Sequence, residues 1–238
     1  MESRTEEYVC IHCSTKSVRL YKEYGHGLIK LTRCSKCGEP VDEYIETEFS
    51  IVFIDTILQR LEAYRHLIFN AGIQKSWKLA LLFLLGEALE LWLSEHYVPS
   101  RGWQDSLAKP FTVELELEWR FYLTCFLLVI SNTVFVVMVT LALCVCCDRS
   151  HANSNTVRSL IIASYGKMLA LPAVLWDCHP EVTRYVVTFF YLISQVQACR
   201  AASGSSTKLA TMVVLVSYAV QQLAGHALSG PLLSLLDF

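Results

Sequence analysis

From Phe121 to Cys147 the chain runs without one charged side chain. As an α-helix that stretch is about 40 Å long, against a hydrocarbon core of about 30 Å. A bilayer is therefore the expected solvent for this segment. Composition extends the argument: 53% of the 238 residues are hydrophobic and 18% charged, with a mean hydropathy of +0.39. That is more apolar surface than one water-soluble core hides. Further candidate spans are Trp77–Tyr97, Tyr185–Cys199, Leu209–Leu228 and Leu160–Trp176. Lys167 and Pro172 interrupt the last, which could instead be re-entrant or interfacial. The expected fold is a mainly α-helical polytopic membrane protein of about four or five membrane helices over 77–238, carrying a small amino-terminal four-cysteine zinc-ribbon domain. The first twenty residues hold Glu2, Arg4, Glu6, Glu7, Lys16 and Arg19 and no apolar core of a cleaved signal, so the first span is expected to do the targeting.

The ribbon rests on Cys10, Cys13, Cys34 and Cys37, two C-x2-C pairs about twenty residues apart. Two such turns offer the four tetrahedral sulfurs that a structural zinc takes, with backbone N–H groups aimed at them. One structural zinc ion is the expected cofactor. Four protein sulfurs leave no open position for water or substrate, which sets catalysis aside for this metal. Lys16, Arg33 and Lys36 stand beside the turns and would offset the excess negative charge of a four-thiolate zinc site. His12 and His26 are competing donors that four cysteines make unnecessary. Free thiols or a redox pair are the alternatives, and a redox site needs one C-x-x-C rather than two. Val18–Tyr21 and Leu28–Leu31 are expected strands around a turn with Gly25 and Gly27. The remaining cysteines (Cys125, Cys144, Cys146, Cys147, Cys178, Cys199) lie in or beside apolar segments, which excludes a secreted disulfide scaffold. Cys144, Cys146 and Cys147, at the end of a span, are either palmitoylation candidates or ordinary small apolar residues.

Between ribbon and spans, residues 49–76 carry Ile51, Ile54, Ile57, Leu58, Leu61, Leu67 and Ile68 at helical spacing, interleaved with Asp55, Gln59, Arg60, Glu62 and Arg65. This is an amphipathic helix whose apolar face either lies on a membrane or a partner, or packs on the ribbon. Five crossings with the ribbon in the cytosol place Arg60, Arg65, Lys75, Lys78, Arg149, Arg158, Arg200 and Lys208 inside. Arg101, Lys109, Arg120 and Arg184 fall outside, an inward excess of cations. A cytosolic ribbon also keeps its thiols reduced.

Polar groups at membrane depth are the candidates for function: Glu87, Glu90, Lys167, Gln195, Gln197, Gln221, Gln222 and His226. Glu87 and Glu90 lie three apart on one helical face and Lys167 could pair with either, lining a path for a lipid head group. The structural alternative is that Glu90 and Lys167 snorkel to the interface while the glutamines join helices. Glu114, Glu116 and Glu118 alternate with apolar residues before a span and suggest a solvated interfacial face rather than acid–base work. Asp177, Cys178 and His179 are adjacent, and neighbours in sequence rarely present a nucleophile and its base to each other. No phosphate loop, nucleophile elbow or zincin helix occurs, so no enzyme is expected. A net charge of -2 without a basic cluster argues against nucleic acid.

The residues Tyr8 to Cys13 (YVCIHC), Leu31 to Gly38 (LTRCSKCG), Val41 to Tyr44 (VDEY) and Phe53 to Leu61 (FIDTILQRL) closely resemble the amino-terminal homology domain of the Arv family, sterol-homeostasis proteins of the endoplasmic reticulum. The resemblance covers about the first seventy residues. It implies a multi-pass protein of that membrane, mediating sterol and lipid uptake, intracellular trafficking and distribution between membranes, with links to sphingolipid balance. Membrane lipids, sterol foremost, are the implied partners. A different class also fits: an accessory scaffold steadying membrane enzymes of lipid modification, such as glycosylphosphatidylinositol anchor synthesis.

Overall fold

The computed structural model describes residues 8–24, 28–73, 76–96, 114–146, 154–176 and 178–236. The amino-terminal head is two small antiparallel ribbons. In the first, β1 (Tyr8–Val9) pairs with β2 (Lys16–Ser17). In the second, β3 (Tyr21–Tyr24) pairs with β4 (Leu28–Leu31), in the register Tyr21↔Leu31 to Tyr24↔Leu28. The expected first strand, Val18–Tyr21, is thus displaced toward Tyr24. Ser17 Oγ donates to the Arg19 carbonyl across a bend, and pairing begins only beyond it. Gly25, Gly27 and His26 lie outside the described residues.

The expected bridging helix is two pieces. α1 (Phe49–Ile57) ends where Gln59 adopts φ 61°, a left-handed conformation that costs an L-residue with a Cβ about 1 kcal/mol or more and stops a helix. The chain restarts as α2 (Leu61–Arg65) and continues into a π-helical turn, His66–Asn70. The second piece packs inward: Ala63, Tyr64, Leu67 and Ile68 share one core with Ile11 and Tyr44 of the head and with Ile162, Ala163, Ala198 and Ala201.

Those partners belong to a helical bundle. Its members are α3 (Ser76–His96), α4 (Glu114–Cys146), α5 (Ser154–Ala163) continued by a 3-10 segment (Ser164–Leu169) and α6 (Ala170–Leu175), then α7 (Pro180–Ser203) and α8 (Thr207–Leu236). Leu79 near the start of α3 packs on the head core, and Arg158 of α5 donates to the Ile73 carbonyl. The last turn of α7 meets that core through Ala201, while Leu143 of α4, Cys199 of α7 and Ala210 of α8 share a second core. The segments therefore run alternately away from the head and back. Pro180 at the first turn starts α7, and Gly204 at φ 65° ends it, its N–H donating to the Arg200 carbonyl. That left-handed cap favours a residue without Cβ.

Among the described residues two helices are long and apolar enough to cross a membrane, at Phe121–Cys146 and Thr207–Leu228. Only 17% and 28% of their most apolar windows are buried, unlike the core helix of a soluble protein. Phe126, Val129, Val137, Met212, Val216 and Leu223 point outward, leaving an apolar shell that calls for lipid. The other three segments are shorter or more polar than a lone span and lean on these two. The expected break at Lys167 and Pro172 is a change of helix type inside the bundle, because Lys167 finds partners there.

Candidate metal centre and membrane-depth cavity

Cys10, Cys13, Cys34 and Cys37 converge, their sulfurs all within 4.8 Å of one another. The Cys10–Cys37 and Cys13–Cys34 separations are 3.7 and 3.5 Å. A Zn–S bond of about 2.3 Å gives a tetrahedron with edges of about 3.8 Å, so the cage fits zinc. Local turns build it. Ser14 N–H donates to the Cys10 carbonyl at 2.9 Å and Gly38 N–H to that of Cys34 at 3.0 Å, and Gly38 takes φ 78° to close the second knuckle. Lys36 N–H points at Cys34 Sγ, 3.5 Å away. Backbone donors from Cys37 and Lys36 hold the Cys34 thiol below its ordinary pKa. Burial pushes the Cys10 thiol up to about 12, so a cation must displace its proton. His12 offers its backbone to the neighbourhood, its carbonyl accepting from Arg65 at 2.8 Å.

Three side chains seat this head on the α2 region. Arg65 Nη1 donates to the carbonyls of Ile11 and His12 at 2.7 and 2.8 Å, and burial lowers its pKa. Asn70 donates to the Val9 carbonyl at 2.9 Å and accepts from the Val9 N–H at 3.1 Å, completing β1 like a neighbouring strand. Asp42, fully buried, accepts from Asn70 Nδ2 at 2.6 Å and from Tyr44 N–H at 3.0 Å, with His66 Nδ1 at 2.7 Å.

A second network joins the head to the bundle. Gln59 Nε2 donates to Ser194 Oγ at 2.9 Å and to Tyr165 Oη at 3.2 Å, while its Oε1 accepts from Tyr64 Oη at 3.0 Å. Tyr165 in turn donates to the Thr56 carbonyl at 2.8 Å.

Deeper in the bundle, Lys167 Nζ donates to both Glu87 oxygens at 2.7 and 2.9 Å and to Asn132 Oδ1 at 2.9 Å. Asn132 Nδ2 returns a bond to Glu87 at 3.2 Å, and Lys167 stands 4.9 Å above the Tyr191 ring. Counted from the head ends of α3, α4 and α7, this cluster lies about 16–21 Å down those helices. Lys167 donates inward to Glu87 and Asn132 instead of reaching for a helix end. Asn132, which reasoning from sequence passed over as an ordinary residue of an uncharged span, is the third member; its one signal was an amide in the middle of that span.

The cluster separates two hollows. On the head side a cavity of about 520 Å³ lies between α3, α4 and α5, walled by residues such as Leu84, Val136 and Leu160, with Glu87 and Lys167 at its deep end. Exposed Trp77, Leu81 and Val129 at its margin open it toward lipid. Beyond the cluster a polar hollow of about 290 Å³ holds Glu90, Arg184, Tyr218, Gln221 and Gln222. The buried Gln221 Oε1 has no protein partner there among the described residues. Glu87 and Lys167 thus come together, and Glu90 borders the same charged septum from the far side. Gln195 joins helices, donating to the Leu160 carbonyl and Ser164 Oγ, Gln197 binds Arg200, and His226 is exposed on α8.

Cys178 and His179 are exposed at the start of α7, and Asp177 lies outside the described residues, as do Lys75, Arg101, Lys109, Cys147 and Arg149. Glu114 opens α4, so the expected interfacial segment is that helix's first turns.

A motif of this kind, joined to a helical bundle with an outward apolar shell, can be compared with known proteins. The Arv1-like family matches residues 9–199. The chain belongs to the Arv1-like family. Protein ARV1 of Mus musculus is 33% identical, over 87% of this chain and 78% of that protein. The Homo sapiens protein of the same name is 32% identical, over 88% and 77% respectively. Protein ARV1 of Saccharomyces cerevisiae is 44% identical over 63 residues, which are 26% of this chain and 20% of that one. No solved structure matches the chain.

Proposed function

We propose that this Arv1-like protein mediates sterol homeostasis from the endoplasmic reticulum membrane, taking part in sterol and lipid uptake, trafficking and distribution. In this reading the bundle holds one lipid molecule at a time and the zinc-bearing head faces the cytosol. The observation that carries it is the apolar cavity that opens toward lipid and ends on the Glu87–Lys167–Asn132 cluster. A cavity of about 520 Å³ is of the size that takes one compact ligand. Its deep end offers hydrogen-bond partners to a hydroxyl or other small head group, and its walls offer chiefly apolar contact. Membership of the Arv1-like family supports the sterol assignment.

Zinc in the four-cysteine cage is structural here. It would be held by Cys10, Cys13, Cys34 and Cys37, and it would tie the second knuckle to the first, at which Arg65 and Asn70 seat the head. Metal analysis of the purified protein should return one zinc per chain.

The lipid reading is tested with a photoactivatable sterol in nanodiscs carrying the full chain, competed by excess unlabelled sterol. Saturable labelling on the cavity walls of α3, α4 and α5 is expected. Labelling no stronger than that of an unrelated membrane protein overturns the reading and favours the scaffold of lipid-modifying enzymes, whose head and bundle need hold no lipid.

A further inference from the structure

α1 is inside out for a helix in water. At 100° per residue, Phe49, Phe53, Ile57, Ser50, Ile54, Leu58 and Ile51 share an arc of about 200°, and Ser50 is its only polar member. Phe49, Ile51, Phe53, Ile54 and Leu58 on that arc are exposed, from 46% at Ile51 to 74% at Phe49, with Phe49 and Phe53 stacked on each other. The opposite arc, Val52, Asp55 and Thr56, is buried. Asp55 accepts from Tyr44 Oη at 2.8 Å and lies 3.4 Å from Arg60 Nη1, and the Thr56 carbonyl accepts from Tyr165. The helix is therefore held by its polar side and presents its apolar side. Such an arrangement is unfavourable unless something apolar covers it.

The position of α1 names the cover. Gln59, just past its end, bonds Ser194, nine residues in from the end of α7 and so about 13 Å down that helix. The Phe53 ring meets the Tyr165 ring edge-on at 6.4 Å, and Tyr165 meets Phe190 at 5.8 Å, beside exposed Phe189. α1 thus lies alongside the bundle rather than on top of it, and its apolar arc continues the lipid-facing surface of α7. Charges flank the arc, Glu46 and Glu48 before it and Arg60 after it, and none falls within it.

We propose that α1 is an interfacial helix that sinks its Phe49–Leu58 face into the head-side leaflet, where head groups give way to acyl chains. Apolar burial drives the contact, and with no cation in the arc it requires no anionic lipid. The lipid reading of the cavity does not enter, since α1 needs only a bilayer around the bundle.

The test uses the full chain in phosphatidylcholine nanodiscs, with an environment-sensitive fluorescent amino acid at Ile54, at Ile51, or at exposed Glu48 as the aqueous reference. Ile51 and Ile54 sit on different parts of the arc, so a folding defect at one leaves the other. Metal content of one zinc per chain, matching the unsubstituted protein, selects the folded variants. Both arc probes should be quenched several-fold more by acyl-brominated phosphatidylcholine than by iodide, with the reverse at Glu48 and no change on adding salt. Iodide dominating at both arc positions overturns the proposal. Protection from both quenchers overturns it too, and assigns the face to a second copy or another protein.

Discussion

At the scale of single residues, the cysteine cage is the feature that sequence spacing specified most completely, because a metal site is defined by four atoms of one kind and knuckle geometry repeats. What lies behind the cage was not legible. Asp42, Arg65, His66 and Asn70 are ordinary polar residues in sequence, and their contacts join positions far apart in the chain, as Val9 with Asn70 does. Arg65→Ala would leave the carbonyls of Ile11 and His12 without their donor and should cost about 2–4 kcal/mol of head stability, since hydrogen bonds to a charged group contribute roughly 1.5–3 kcal/mol each. Hydrogen exchange should show this as faster opening of residues 8–17 with the bundle unaffected. Acid acts on the same cage through its thiols. Burial holds Cys10 protonated up to about 12 without metal, so zinc must displace protons to bind and lowers the thiol pKa values in the bound state. Stability from the metal is then present at higher pH and lost as pH falls. Zinc release to a chromogenic chelator should accelerate steeply between about pH 7 and about pH 5, and exchange protection of the head should vanish in step.

At the scale of elements, apolar periodicity suggested one helix across residues 49–76 where the structure has two. The apolar spacing from Ile51 to Ile68 is continuous in sequence, yet Gln59 takes φ 61° and divides it. The reason is tertiary: the turn brings the Gln59 amide to Ser194, Tyr165 and Tyr64 at once, and no local signal announces Ser194 and Tyr165, each more than a hundred residues away. The same junction explains why buried Asp55 and Arg65 stand where a solvated face was expected. Close helix contacts were equally silent. A methyl group added at Gly166 would meet the Tyr191 backbone at 3.3 Å and the Phe190 ring at 3.0 Å, whereas at Gly86 it would meet the Met168 thioether at 2.5 Å. Methionine can swing aside and a helix backbone cannot. Gly166→Ala should therefore destabilise the bundle by about 1–3 kcal/mol, and Gly86→Ala by less despite the shorter contact. Thermal unfolding of both variants in nanodiscs, monitored by tryptophan fluorescence, ranks them.

At the scale of the whole molecule, two polar junctions and two hollows are stacked along one axis. The cysteine cage is seated on α2, α2 is joined through Gln59 and Tyr165 to the bundle, and Tyr165 is two residues from Lys167, whose ion pair divides the apolar hollow from the polar one. Sequence placed Glu87 and Lys167 at membrane depth and let Lys167 pair with either Glu87 or Glu90, without choosing between them, because helix order in a bundle decides which faces meet. The pair is also where structure and function can be separated. The Lys167 and Glu87 side chains are 14% and 19% exposed, so removing one partner strands the other charge away from water, and either Glu87→Leu or Lys167→Met alone should cost about 3–5 kcal/mol. Replacing both removes the stranded charge, and apolar substitutes for a buried pair are commonly neutral or stabilising. The double variant should thus unfold close to the unsubstituted protein in a detergent titration. If the pair and Asn132 receive a lipid head group, that recovered stability will not bring back ligand: saturable sterol labelling should remain reduced by about tenfold, the effect of losing one charge-assisted hydrogen bond to a ligand. A double variant that is stable and labels normally would make the pair a structural clasp and move ligand recognition to the apolar walls alone.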